Sequence, residues 1–177
     1  MTTPLPKRRW RANRTPPLVL ASLVVLLDQL AKAWALNQLP IGQIRPFLPG
    51  LLQLQRVANT GAAFSLFTGN PALLGLVSAL VSIALLAWIL VAPPGRRWLM
   101  LASGLVLGGA IGNGLDRWRW GAVVDFLEFV PVRFPIFNLA DVAINLAVAC
   151  YLIDQLLDRP LPPDARPADP TREQGDG

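Results

Sequence analysis

The chain has 177 residues, 53% of them hydrophobic and only 15% charged, with no histidine, one cysteine and a net charge of +5. A charged fraction well below the roughly 25% of soluble domains points to lipid as the solvent around much of it. A histidine-based triad, a His-ligated or Cys-cluster metal site and an intrachain disulfide are excluded, the last because Cys150 stands alone.

The length suits one domain. Residues 1–17 form a basic leader that carries Lys7, Arg8, Arg9, Arg11 and Arg14. These charges flank an apolar run and do not form a stripe between aromatics, so the high pI reads as a membrane-orientation signal and not as a nucleic-acid surface. Four runs then approach the roughly 20 apolar residues that a hydrocarbon core requires. They cover about 18–36, 72–92, 98–115 and 138–157. The first is long, is interrupted by Asp28 and lacks a small-x-small site after it, so it is expected to remain as a helix and not to be cleaved as a signal peptide.

The connection between the second and third spans, Pro93-Pro94-Gly95-Arg96-Arg97, is short and basic. By the positive-inside rule this connection and both termini are cytoplasmic, and the long connections 37–71 and 116–137 face outward. Trp34, Trp88, Trp98, Trp118 and Trp120 fall near span ends, as an interfacial belt requires. In the first outward connection Leu52-Gln53-Leu54-Gln55 alternates as a half-buried strand does, and Asn59-Thr60-Gly61 reads as a turn. The expected fold class is therefore an all-α membrane protein: four transmembrane helices with a small extracytoplasmic β-sheet or cradle. The tail 158–177 is rich in Pro, Asp and Arg and is expected to be disordered.

Charges within spans are costly and each needs a reason. Asp28 and Lys32 share a helix face four residues apart, either as an ion pair that lowers the burial cost of both or as substrate contacts. Asn113, Asp116 and Arg117 close the third span, either as helix termination and anchoring or as part of a site. Gly104, Gly108 and Gly112 form a small-residue stripe there, suited to close helix packing. Asp125 lies in an apolar, β-branched stretch, and Asp141 lies in the first turn of the fourth span, where the helix dipole favours a carboxylate. Both fall on the outer side. Two adjacent carboxylates share a proton, so one can act as base on water while the other donates to a carbonyl oxygen. That is hydrolytic chemistry open to a chain without histidine. A small proton-coupled carrier, which would use membrane carboxylates as a relay, and a non-enzymatic assembly factor are the competing classes.

Four blocks carry a more specific signal. Asp28-Gln29-Leu30-Ala31-Lys32, Asn59-Thr60-Gly61-Ala62-Ala63-Phe64-Ser65, Gly108-Gly109-Ala110-Ile111-Gly112-Asn113-Gly114-Leu115-Asp116-Arg117 with Val124-Asp125-Phe126, and Phe137-Asn138-Leu139-Ala140-Asp141 resemble, in order and in placement on four spans, the bacterial lipoprotein signal peptidase (signal peptidase II) family. The resemblance covers about residues 18–157. It implies an intramembrane aspartic protease of the cytoplasmic membrane, active on its outer side. Such an enzyme cuts diacylglyceryl-modified prolipoproteins on the amino side of the lipidated cysteine. It further implies Asp125 and Asp141 as the catalytic pair. Asn59, Asn113, Arg117 and Asn138 would orient substrate and dyad, and Asp28, Lys32, Asp116 and Gly109 would support them. No metal or organic cofactor is implied. The expected partners are the prolipoprotein substrate and membrane lipid, with globomycin as inhibitor and the chain acting as a monomer. Two positions depart from the family pattern: Gly114, where a larger apolar residue is usual, and Val142, where serine is frequent. Gly114 is expected to loosen the end of the third helix, and Val142 removes any hydroxyl bond to the dyad.

Overall fold

The computed structural model describes residues 13–61, 69–132 and 134–157. The N-terminal basic cluster apart from Arg14, the segment with Phe64 and Ser65, Arg133 and the C-terminal tail lie outside the described residues. In chain order the elements are α1 (Thr15–Gln38), β1 (Ile44–Leu48), β2 (Leu52–Asn59), α2 (Pro71–Val91), α3 (Arg97–Trp120), β3 (Val123–Phe129) and α4 (Leu139–Leu157). All four helices are long and apolar enough to cross a membrane.

Local chemistry sets the helix ends. Prolines occupy the first turns of α1 and α2, where their missing N–H costs nothing. Asn70 caps α2 by accepting from the Leu73 amide at 3.2 Å. Pro93 and Pro94 follow the end of α2 and stop it. The third helix continues past Leu115 to Trp120. It stops where Gly121 adopts φ 68°, with its N–H on the Arg117 carbonyl at 3.1 Å.

Helix α3 is the centre of the molecule and packs against each of the other three. Its small residues make this possible. A Cβ at Gly104 would sit 2.7 Å from the Pro17 carbonyl oxygen, and one at Gly108 would sit 2.8 Å from that of Ala21. On the opposite flank a Cβ at Gly109 would sit 2.7 Å from the Ala140 carbonyl oxygen, so this glycine lets the first turn of α4 close on α3. Gly114 is buried within the helix, not at its end. A Cβ there would stand 3.1 Å from that of Ser78, so this departure shapes the α2 contact instead of loosening the terminus.

The strands form one antiparallel sheet in the order β1-β2-β3. Leu54 of β2 with Phe126 and Leu127 of β3 pack on Ala35 and Leu39 at the end of α1. This apolar contact fixes the sheet over the end of the bundle where α1 terminates. Residues Val123–Leu127 are all buried, so β3 is covered on both faces.

Candidate active site

Five elements converge beneath the sheet: α1, β2, α3, β3 and the start of α4. The register opposes Asp125 to Val57, which puts Asn59 on the diagonal and on the same face. Asn59 Nδ2 donates to Asp125 Oδ2 at 2.8 Å. The Asn59 Oδ1 accepts from the Gly61 amide at 2.9 Å, which forms the turn that follows β2.

Asn138 and Asp141 begin α4 as a capping box. Asn138 Oδ1 accepts from the Asp141 amide at 3.0 Å, and Asp141 Oδ2 accepts from the Asn138 amide at 3.1 Å. The remaining polar atoms of the two residues reach outward. Asn138 Nδ2 donates to Asp125 Oδ1 at 2.6 Å, and Asn113 Nδ2 donates to Asp141 Oδ1 at 2.8 Å. One residue, Asn138, therefore holds both carboxylates, Asp125 through its side chain and Asp141 through its backbone.

Behind this pair lies a charged cluster. Lys32 Nζ is 2.8 Å from Asp28 Oδ2 and 2.9 Å from Asp116 Oδ2, and it donates to Asn113 Oδ1 at 2.9 Å. Asn138 Nδ2 also donates to Asn113 Oδ1, at 3.0 Å. Two donors on that oxygen set the orientation of the Asn113 amide, so its NH2 faces Asp141. Asp28 Oδ1 accepts from the Ala140 amide at 2.9 Å, tying α1 to the first turn of α4. Asp116 Oδ2 accepts from the Val124 amide at 3.1 Å, tying α3 to β3. Asp28, Lys32 and Asp116 thus act on one another and on the frame, consistent with the ion-pair alternative for Asp28 and Lys32.

Arg117 donates to the Gly61 carbonyl at 3.1 Å and reaches the Asn113 carbonyl at 3.5 Å. Its Nε is buried without a hydrogen-bond partner among the described residues. Asp125 and Asn138 are fully buried, whereas Asp141, Asn59 and Arg117 are partly exposed and form the accessible side of the pair.

Burial pushes the Asp125 carboxyl up to about 7, and the neighbouring Asp141 charge adds to the effect. The amides of Asn59 and Asn138 and the Lys32 charge oppose it and lose to desolvation. Among the described residues no three His, Cys, Asp or Glu side chains form a metal-holding group.

Gln29 was not among the sequence candidates. Its Nε2 donates to Asp116 Oδ1 at 3.0 Å and to the Gly112 carbonyl at 3.3 Å, and its Oε1 accepts from Arg119 at 3.1 Å. A neutral amide within an apolar span was the available signal, since it too needs partners in lipid. At the other end of the bundle Arg96 pairs with buried Asp154 at 2.6 Å, a clamp between the start of α3 and the end of α4.

Residues 20–157 match the family model described as signal peptidase (SPase) II. The chain belongs to the signal peptidase II family. It is 53% identical over 145 residues to a lipoprotein signal peptidase of Synechococcus sp. (strain RCC307), covering 80% of this chain and 95% of the relative. It is 47% identical over 149 residues to the one from Gloeobacter violaceus, covering 84% and 86%. A bacterial membrane enzyme solved by the in meso method at 2.3 Å shares the fold, with a TM-score of 0.74 and 29% identity over 80% of this chain and 88% of that one. Membership makes this signal peptidase II a protease, and with its four apolar helices a multi-pass membrane protein. The carrier and assembly-factor readings fall away with it.

Proposed function

We propose that the chain is an intramembrane aspartic endopeptidase. It removes signal peptides from diacylglyceryl-modified prolipoproteins by cutting on the amino side of the lipidated cysteine. The observation that carries this reading is the bridging of Asp125 and Asp141 by Asn138 in a buried, partly open site. Relatives at up to 53% identity bear the name lipoprotein signal peptidase, which supports the substrate class.

In this mechanism the pair shares one proton, and Asp125, raised to about 7, holds it near neutral pH. Asp141 accepts a proton from water as the water oxygen attacks the scissile carbonyl carbon. Asp125 gives its proton to the carbonyl oxygen. When the tetrahedral species collapses, the C–N bond breaks, Asp141 passes its proton to the cysteine nitrogen and Asp125 recovers the hydroxyl proton. Water is consumed and both carboxyls return to their starting states. Arg117 and Asn59, both partly exposed, line the open side and would receive substrate carbonyls there. Asn113 and Asn138 orient the pair itself.

The substrate's acyl chains keep the scissile bond near the outer membrane surface. The positive-inside rule, applied to the basic termini and the short basic connection, supports a dyad on that side. The chain acts as a monomer embedded in lipid. The direct test is incubation of the purified chain with a diacylglyceryl prolipoprotein, with and without globomycin. Cleavage before the modified cysteine that globomycin blocks is the expected result. Cleavage of the unlipidated precursor at an equal rate would overturn the substrate assignment.

A further inference from the structure

The mechanism leaves Asn145 unused. It lies in α4, four residues after Asp141 and therefore on the same face, about 6 Å farther along the helix axis. The buried face of α4 runs through Ala140, Ala143 and Ala147, whereas Asn145 is exposed, with Leu146 and Val148 half exposed beside it. It thus continues the accessible side of the carboxylate pair into the apolar span.

An amide at such a position costs free energy unless its polar atoms are bonded. Asn145 Nδ2 donates to the Asp141 carbonyl at 2.9 Å. That bond uses one of its two N–H groups and holds the side chain beside Asp141. The second N–H and Oδ1 have no partner among the described residues. Gln29 and Asn113, the amides turned into the bundle, are engaged at both nitrogen and oxygen. Asn145 differs from them in presenting a free donor and a free acceptor together.

Substrate chemistry says what fits, and here the inference rests on the peptidase reading above. A signal peptide must leave the helical state where it is cut. Its main chain there has lost its internal hydrogen bonds at membrane depth, so the enzyme has to bond the freed N–H and C=O groups. In extended backbone the N–H and C=O of one residue point the same way. A side-chain amide with one donor and one acceptor to offer matches that pair. The ester carbonyls of a diacylglyceryl group only accept, and would leave Oδ1 bare. The apolar signal peptide precedes the cut, so with the scissile bond at the dyad its residues run inward along α4. At about 3.3 Å per residue, the 6 Å from Asp141 to Asn145 corresponds to about two residues.

We infer that Asn145 is a substrate-binding residue whose side-chain amide pairs with the main chain of the signal peptide about two residues before the scissile bond.

The test pairs Asn145→Leu, a change suited to a lipid-facing position, with altered substrates. The parent is a diacylglyceryl prolipoprotein peptide. In its analogues an ester replaces the peptide bond at each of the three residues before the cut in turn, exchanging the N–H for an oxygen. With the parent, Asn145→Leu should raise KM about tenfold and leave kcat within about twofold of wild type. Wild type should lose about tenfold in kcat/KM on one ester analogue, expected at the second residue, and Asn145→Leu should lose nothing further there. Losses that add at all three positions overturn the inference. So does a fall in kcat with KM unchanged, which would mean that Asn145 serves only to hold Asp141. Failure of wild type to cleave the parent would instead sink the peptidase reading, and this inference with it.

Discussion

Two pairs of aspartates lie within one cluster and are held in opposite ways. Asp28 and Asp116 share the ammonium of Lys32, with both oxygens nearby and further backbone donors on each. Asp125 and Asp141 have no basic side chain within ion-pair distance among the described residues and rest on the amides of Asn59, Asn113 and Asn138. The first pair rests on a shared counter-ion and fastens helices to one another. The second is held in place by neutral donors that leave its proton free to move. Burial raises both costs, but only the first pair has a cation, Lys32, to offset part of it. On the proposed mechanism the same residue type serves as a fastener or as a proton carrier, depending on whether a cation is within reach.

The widest test of this contrast is Asp125→Asn set against Asp28→Asn. Removal of a proton-transferring group is expected to cost about 10²–10⁴-fold in cleavage rate, so Asp125→Asn should be nearly silent in a prolipoprotein assay. Its thermal unfolding temperature in detergent near neutral pH should be no lower than that of wild type, because the neutral amide escapes the cost of ionising a buried carboxyl. Asp28→Asn should lower the unfolding temperature along with activity. Equal stability loss in both would erase the distinction between the two pairs.

Lys32→Met comes next. It strands two buried carboxylates, and breaking such a pair costs about 3–5 kcal/mol, read as a fall in the denaturation midpoint. It also frees the Asn113 amide to rotate, so the surviving folded fraction should still cleave slowly.

The pH profile gives a third measure. Asp125 keeps its proton up to about 7 in the folded chain, whereas an unperturbed aspartate loses it near 3.8. Between those values the folded state binds more protons than the unfolded state, so its stability from this group declines as pH rises and then levels above 7. Activity should fall about tenfold per unit above pH 7, as the donor ionises. In Asp125→Asn the stability slope across that window should disappear. A smaller effect is expected for Asn138→Ala, which loses the α4 cap at about 0.5–2 kcal/mol and slows cleavage by untying both carboxylates. The smallest effect on activity is expected for Arg96→Gln at the far end of the bundle: it removes the partner of the buried Asp154 carboxylate and should lower the unfolding midpoint, while prolipoprotein cleavage stays unchanged.

The four spans were legible because each is an apolar run of bilayer length, and β2 because Leu52-Gln53-Leu54-Gln55 alternates, with Leu54 buried against α1. Strand β3 was not legible. Val-Val-Asp-Phe-Leu is buried on both faces, so it shows no alternation. The extension of α3 to Trp120 was hidden because its last turn is polar and aromatic. Its stop signal, Gly121, lies beyond the apolar run that defined the span. Each carboxylate of the site could be singled out by its cost in lipid, but which ones meet depends on contacts spread across the chain. Asn113 and Asp141, 28 residues apart, are an example. Gln29 escaped notice because an uncharged amide stands out less than an aspartate four residues from a lysine.

The bond from the Ala140 amide to Asp28 joins the first helix to the last across 112 residues. It bears on when, during synthesis, a peptidase of this design becomes active. A nascent chain that ends after α3 already carries Asp28, Lys32, Asn113 and Asp116, but it has neither member of the proposed dyad. Extension through β3 adds Asp125 without the residue that bridges it. Only emergence of residues 138–141 supplies the cap, the second carboxylate and the tie back to α1 in one helical turn. On this design the protease has no competent intermediate during its own insertion, and its activity begins with the arrival of its final membrane segment.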